Sequence, residues 1–351
     1  MSSKRKIRVL VVDDSFFMKK LLRDLLETDP YIKVVGDAKD GKTAIEQARI
    51  LEPDVITMDY NMPDMTGAQV IKKILADKKG YLPAIIMISA YTKGGADETI
   101  ESMRAGAIDF VAKPSGELSL YIDIVKDEIL SRVHTGFHAR IRQLGKSKRS
   151  RIKSKECPKL SAIKTIVIGA STGGPPVVED ILVALPDKFP AAIFVAQHMP
   201  EFFMSKFSAR LNKLSPLCIK EAAKGDEIKN SMVYMVPADK DLVIRSLKNK
   251  KIIHLTKKKN KNSPSPSIDD TMASLAGAYQ DQTVGVLLTG MGEDGKKGFS
   301  AIKKFGGLTI VQDPETAVID SMPSSVVESD LADLILPPEK ISKKLIELCS
   351  A

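Results

Sequence analysis

Short runs of β-branched and aliphatic residues alternate with amphipathic stretches along most of this 351-residue chain. That alternation limits the fold more than any other feature. Strands are predicted at 8–12, 34–37, 55–58, 84–89 and 109–112, with helices at 16–28, 41–51, 66–77, 96–105 and 118–133. A strand followed by a helix five times over fits a doubly wound parallel sheet, because parallel neighbours need a long crossover. After residue 160 the rhythm resumes, with strands at 164–169, 191–196, 284–289 and 307–312. Helices are expected near 175–185, 202–214, 268–280 and 296–305, and a patch between 217 and 255 reads as hairpins. The expected fold class is two α/β domains. A (βα)5 doubly wound domain spans 5–130, and a doubly wound, mostly parallel domain with a small antiparallel hairpin region spans 161–351.

Between them lies the charge. The chain carries a formal +9, and residues 140–159 hold nine Lys or Arg against the single acid Glu156. With one aliphatic residue and no aromatic, Lys146 to Lys155 has nothing to bury, so 131–160 reads as a basic interdomain linker. A second lysine cluster, Lys248 to Lys261, brackets a short strand and reads as solvated loops. Neither domain is itself strongly basic and no helix-turn-helix pattern appears, so no nucleic-acid partner is expected. Apolar runs such as Ala84 to Ile88 are far shorter than the ~20 residues of a membrane-spanning helix. Asp13 and Asp14 stand where a leader peptide would need small residues. Cys157, Cys218 and Cys349 have neither disulfide nor metal spacing. A cytoplasmic location without membrane insertion is expected.

In an open parallel sheet, chemistry gathers beyond the carboxyl ends of the strands. In the first domain those ends carry Asp13 and Asp14, Asp59, Ser89 and Lys113. An isolated Asp at a strand end is usually a helix N-cap. Three converging carboxylates would repel unless a hard dication such as Mg²⁺ sat among them, and a lysine opposite could neutralise phosphoryl charge. Asp59 would then attack an activated phosphoryl group. Val11-Val-Asp-Asp-Ser15, Asp54 to Pro63, Ser89-Ala90 and Phe110-Val-Ala-Lys-Pro114 resemble the receiver domain of two-component response regulators. The resemblance implies phosphorylation of Asp59 by a histidine kinase and Mg²⁺ binding by Asp13, Asp14 and Asp59. It also implies a switch relayed by Ser89, Phe110 and Lys113.

In the second domain, Gly169-Ala-Ser-Thr-Gly-Gly174 follows a predicted strand and precedes a helix opening with Pro175-Pro176. Glycines around a serine allow a sharp turn that presents its hydroxyl at a helix N-terminus. A phosphate-cradling loop is the alternative. Serine needs a base, and only His198 and His254 follow the linker. His198 leaves a strand at the same sheet edge as Ser171, whereas His254 sits in a lysine-flanked strand. Leu287 to Gly295 leaves another strand and offers Asp294 to orient the imidazole, with Glu293 as runner-up. Its spacing is one residue from a P-loop, but Lys297 stands where Ser or Thr is required. Its glycines could instead aim backbone N–H groups such as that of Met291 at an oxyanion. No histidine follows Asp294, so the order is Ser–His–Asp and not that of an ordinary α/β-hydrolase.

Gly169 to Gly174, Gln197-His-Met-Pro200, Thr289 to Gly295 and Val311 to Val318 with Ser321-Met-Pro323 resemble the chemotaxis methylesterase domain of the CheB family. With the receiver in front, about nine-tenths of the chain, all but the linker, resembles a chemotaxis response-regulator protein-glutamate methylesterase. That resemblance implies a triad of Ser171, His198 and Asp294, with oxyanion support near Thr172 and Met291. It implies phosphorylation-activated hydrolysis of glutamate γ-methyl esters, with glutamine deamidation as a second activity and no cofactor for ester hydrolysis. The implied partners are methylated chemoreceptor cytoplasmic helices as substrate and a chemotaxis histidine kinase as phosphodonor. The stretch Tyr234 to Leu242 departs from the family, with Ala238 in place of a glycine and no histidine. Rival readings are a response regulator with a DNA-binding output domain, or a scaffold.

Overall fold

A computed structural model describes residues 5–77, 82–89, 95–113, 118–144, 163–247, 250–257 and 265–350. The basic run 146–155 and Lys258 to Lys261 lie outside them. The chain divides into two compact units, Met1–Arg149 and Ser150–Ala351. Among the described residues no helix is long and apolar enough to cross a membrane.

In the first unit the elements are β1 (Ile7–Val12), α1 (Phe16–Leu26), β2 (Ile32–Ala38), α2 (Gly41–Leu51), β3 (Val55–Met58), α3 (Gly67–Leu75), β4 (Ala84–Ser89), α4 (Gly95–Ala105), β5 (Asp109–Ala112) and α5 (Leu118–Leu144). All pairings are parallel and the order is β2-β1-β3-β4-β5. The expected alternation is present throughout. Helix starts follow local chemistry: Ser15 and Asp40 cap α1 and α2, and Thr66 with Gln69 closes a capping box on α3.

Helix α5 differs from expectation, continuing eleven residues past 133 into the stretch assigned to the linker. The cause is a stripe at helical spacing, Ile129, Val133, Gly136 and Ala139, all buried. Arg140 on that extension reaches Asp54, which is fully buried and also accepts the Arg5 guanidinium and the Arg8 N–H. His134 pairs with Asp29 at 2.8 Å.

The second unit runs β6 (Thr165–Ala170), α6 (Gly174–Val183), β7 (Ala192–Gln197), α7 (Glu201–Leu214), β8 (Cys218–Glu221), β9 (Met232–Met235), β10 (Lys240–Leu247), β11 (Lys250–Lys257), α8 (Ile268–Tyr279), β12 (Thr283–Leu287), α9 (Lys296–Lys304), β13 (Leu308–Gln312), α10 (Ser321–Glu328), β14 (Leu334–Leu336) and α11 (Pro338–Ser350). Seven strands in the order β14-β13-β12-β6-β7-β9-β8 make one sheet, every pairing parallel. Of the 217–255 patch only β10 and β11 form an antiparallel hairpin. The strands β8 and β9 instead extend the parallel sheet. Phe194 of β7 stacks on Tyr234 of β9 at 5.2 Å between ring centroids, which ties that extension to the core.

Both sheets grow in opposite directions from their first strand, so each has a crevice where the order reverses: β1 against β3, and β6 against β12. The residues after those strands are the ones the sequence marks.

Arg140→Ala would leave Asp54 buried with one fewer cation, and should cost the first unit about 1–3 kcal/mol in urea unfolding of the full chain. An unchanged midpoint would mean that the end of α5 adds nothing to the fold.

Candidate active site

Strand β6 ends in Gly169-Ala170 and the chain turns at once through Ser171 and Thr172 into α6. Gly173, at the N-cap of α6, sits at φ +74°, and a Cβ there would meet Val318 at 2.6 Å. The turn is stitched to both neighbouring strands: Ser171 N–H donates to Thr289 O at 3.0 Å, and His198 N–H to Ala170 O at 2.9 Å. Gly290 lies so close that a Cβ would come within 2.7 Å of Ser171 Cβ. These contacts bring the ends of β6, β7 and β12 together.

Ser171 Oγ lies 3.1 Å from His198 Nδ1, and His198 Nε2 lies 2.8 Å from Asp294 Oδ2. An ionised carboxylate only accepts, so Nε2 carries the proton and Nδ1 faces the serine as a base. The imidazole and the carboxylate are about nine-tenths buried, at 11% and 10% exposure. Asp294 further accepts the N–H groups of Ile268 through Oδ2 and of Asp269 through Oδ1, each at 2.9 Å. Burial pushes its carboxyl up, but the His198 bond and charge and the two N–H groups outweigh that, leaving it below the usual carboxylate range.

Glu293 is solvent-facing, with its side chain 71% exposed near Lys296. Thr172, next to Ser171 in the turn before α6, is buried, and Met291, between β12 and α9, is 44% exposed. His254 is on β11 opposite Val243, apart from the triad's strands. Desolvation and the charges of Arg245 and Lys224 hold its imidazole below the ordinary histidine value. Ala238 is buried, and its carbonyl accepts the Ser265 hydroxyl.

Three residues went without a role in the sequence reading. Gln197 Nε2 donates to Ser171 O at 2.9 Å and His198 O at 3.0 Å, linking the two turns. The Thr289 hydroxyl lies 3.0 Å from Thr172 O and 2.9 Å from Ile319 O, and accepts the Ile319 N–H. Asp269 Oδ1 accepts the N–H of Gly295 at 2.9 Å and of Gly298 at 2.7 Å. Gln197 and Thr289 sit within the quoted motifs, and position next to a candidate residue was the available signal. Asp269 lies outside those motifs and looks like an ordinary first-turn acid.

In the first unit, Asp13, Asp14 and Asp59 present carboxylate oxygens within 4.8 Å of one another. Lys113 Nζ is 2.8 Å from both Asp13 Oδ2 and Asp59 Oδ2. Burial, then the nearby Asp13 charge, raises the Asp59 carboxyl against the pull of Lys113. Burial opposes the Lys113 charge, yet the two carboxylates hold its ammonium above the usual lysine value. An all-oxygen set with a cation already drawn between two members is one that can hold a hard metal ion. Phe110 is buried on β5, and Ser89 ends β4, its side chain outside the described residues.

The CheB methylesterase family profile matches residues 166–345, and the response regulator receiver domain profile matches residues 9–124. The Thermotoga maritima protein named protein-glutamate methylesterase/protein-glutamine glutaminase is 44% identical over 98% of this chain and 99% of its own. A protein of the same name from Pyrococcus horikoshii is 39% identical over 98% of this chain and 94% of its own. The solved catalytic domain of the Thermotoga maritima CheB methylesterase superposes with a TM-score of 0.51 at 42% identity, covering 54% of this chain and 100% of that domain.

Because the Asp294 carboxyl is held below its ordinary value of 3.8 in the fold, its charge contributes stability that is present above pH 3.8 and lost as pH falls through the lower folded value. The stability gap between wild type and Asp294→Asn should therefore persist in thermal unfolding down to about pH 4 and close below it. A gap independent of pH would contradict the ionised assignment.

Proposed function

The chain belongs to the CheB family, a receiver domain followed by a CheB methylesterase domain, and from that premise we propose that it is a phosphorylation-activated protein-glutamate methylesterase and protein-glutamine deamidase. The observation that carries this reading is the continuous chain Ser171 Oγ–His198–Asp294 at hydrogen-bond distances. Its substrates are glutamate γ-methyl esters on the cytoplasmic helices of chemoreceptors, and its output is adaptation in chemotaxis. It acts in the cytoplasm.

His198 Nδ1 takes the Ser171 proton as Oγ attacks the ester carbonyl, and backbone donors near Thr172 and Met291 hold the oxyanion. The imidazolium, kept in place by Asp294, returns the proton to the leaving methanol. Water, deprotonated by His198, then attacks the acyl-serine, and the imidazolium returns that proton to Ser171 Oγ as the receptor's glutamate side-chain carboxylate is released. With glutamine the leaving group is ammonia.

In the receiver, Asp59 accepts the phosphoryl group from a chemotaxis histidine kinase. Mg²⁺ would be held by Asp13, Asp14 and Asp59 and would neutralise phosphoryl charge. Lys113, drawn to Asp13 and Asp59 beforehand, is placed to pair with a phosphoryl oxygen, and Ser89 and Phe110 relay the change.

Ser171→Ala should lower methanol release from a methyl-labelled receptor fragment by about 1,000-fold or more. Retained activity would remove the serine from the mechanism. Acetyl phosphate with Mg²⁺ should raise the wild-type rate several-fold and leave Asp59→Ala unchanged. An equal response in both would place activation elsewhere.

A further inference from the structure

The N-termini of α8 and α9 meet beside the triad and each holds the other's carboxylate. Asp294, in the loop before α9, accepts the N–H groups of Ile268 and Asp269 in the first turn of α8. Asp269, in that same turn, accepts the N–H groups of Gly295 and Gly298 at the start of α9. The result is a closed ring of contacts: Asp269 side chain to Gly295 backbone, Asp294 side chain back to Asp269 backbone. Each carboxylate sits at the positive end of a helix and satisfies donors that have no intrahelical partner.

The geometry leaves little slack. Gly295 is at φ +103°, and a Cβ on Gly298 would lie 2.7 Å from Met272 Cβ of α8. Asp294 Oδ2 carries the His198 Nε2 bond as well as the Ile268 bond, so any shift of Gly295 displaces the imidazole's partner. Asp270, Glu293, Lys296 and Lys297 line a cavity of about 490 Å³ with Asp269 and Asp294. Burial and the neighbouring Asp294 charge raise the Asp269 carboxyl, opposed by its bonds to Gly295 and Gly298.

We propose that Asp269 is a positioning residue for hydrolysis: its side-chain oxygen holds Gly295 and Gly298, and so sets the loop at the place where Asp294 can bond His198. The inference rests on the Ser171–His198–Asp294 reading above. It goes beyond that reading by assigning the α8 first turn a role in aligning the base.

The test uses the full chain activated with acetyl phosphate, a methyl-labelled receptor fragment for kcat and KM, and a fluorophosphonate for the rate of Ser171 labelling. Asp269→Ala removes the acceptor. It should lower kcat and the labelling rate by about 30-fold, with KM within about 3-fold. Asp269→Asn keeps an oxygen acceptor at the same place and should recover kcat to within about 5-fold. A folded Ala variant with wild-type kcat and labelling rate would overturn the proposal, as would an Asn variant no better than Asp294→Ala. Should the Ala variant not fold, the Asn comparison decides alone. Wild type and Ser171→Ala run alongside: a wild type that neither releases methanol nor labels at Ser171 refutes the hydrolase reading itself, separately from any effect at Asp269.

Discussion

Asp294 accepts hydrogen bonds from an imidazole and two backbone amides, and the arrangement of Ser171 and His198 in the second unit depends on that convergence. A half-solvated aspartate on a glycine-rich loop would sample several rotamers. This one is about nine-tenths buried, with both oxygens engaged by fixed donors. Removing a carboxylate from water is expensive unless its lone pairs are met, and here the helix end that meets them also fixes direction. The imidazole inherits its orientation from that carboxylate, and Nδ1 is turned toward the serine hydroxyl.

The two units solve the same problem with different chemistry. Each gathers polar side chains at the crevice where a parallel sheet reverses its strand order, because there the connecting loops part and leave room. In the first unit the crevice concentrates negative charge, offset by one buried ammonium. In the second a serine, a histidine and an aspartate stand beyond three strand ends, β6, β7 and β12. The same backbone layout accommodates a chain of hydrogen bonds in one unit and a cluster of charge in the other.

Most of the layout was legible from residue pattern. Strand-end residues such as Asp59, Ser171 and His198 follow conspicuous apolar runs, so the sheet edge to which they belong can be read directly. The parts that were not legible depend on long-range contacts. Cys218–Glu221 and Met232–Met235 are four-residue strands joined without an intervening helix, a spacing that suggests a hairpin, yet they pair in parallel because β9 lies against β7. The end of α5 reads as the start of a basic run, and only the pairing of Arg140 with Asp54 shows its charge engaged. β14 and α11 carried no clear signal: three residues make a weak strand until β13 supplies a partner. Asp269 was invisible for a related reason. An acid in the first helical turn is the commonest use of that position, and nothing local marks that its amide partners lie twenty-six and twenty-nine residues away.

The imidazole's orientation has a stereochemical consequence. Nε2 is enclosed by Asp294, so the ring atom open to a reacting group on the serine side is Nδ1, the nitrogen nearer the main chain. An alkylating electrophile approaching from the serine side would mark Nδ1 and yield the π-substituted histidine. In the arrangement where Nε2 faces the serine it would yield the τ-substituted isomer instead. The two products have the same mass and different chromatography, so the regiochemistry of a single covalent adduct records which way round the ring is held.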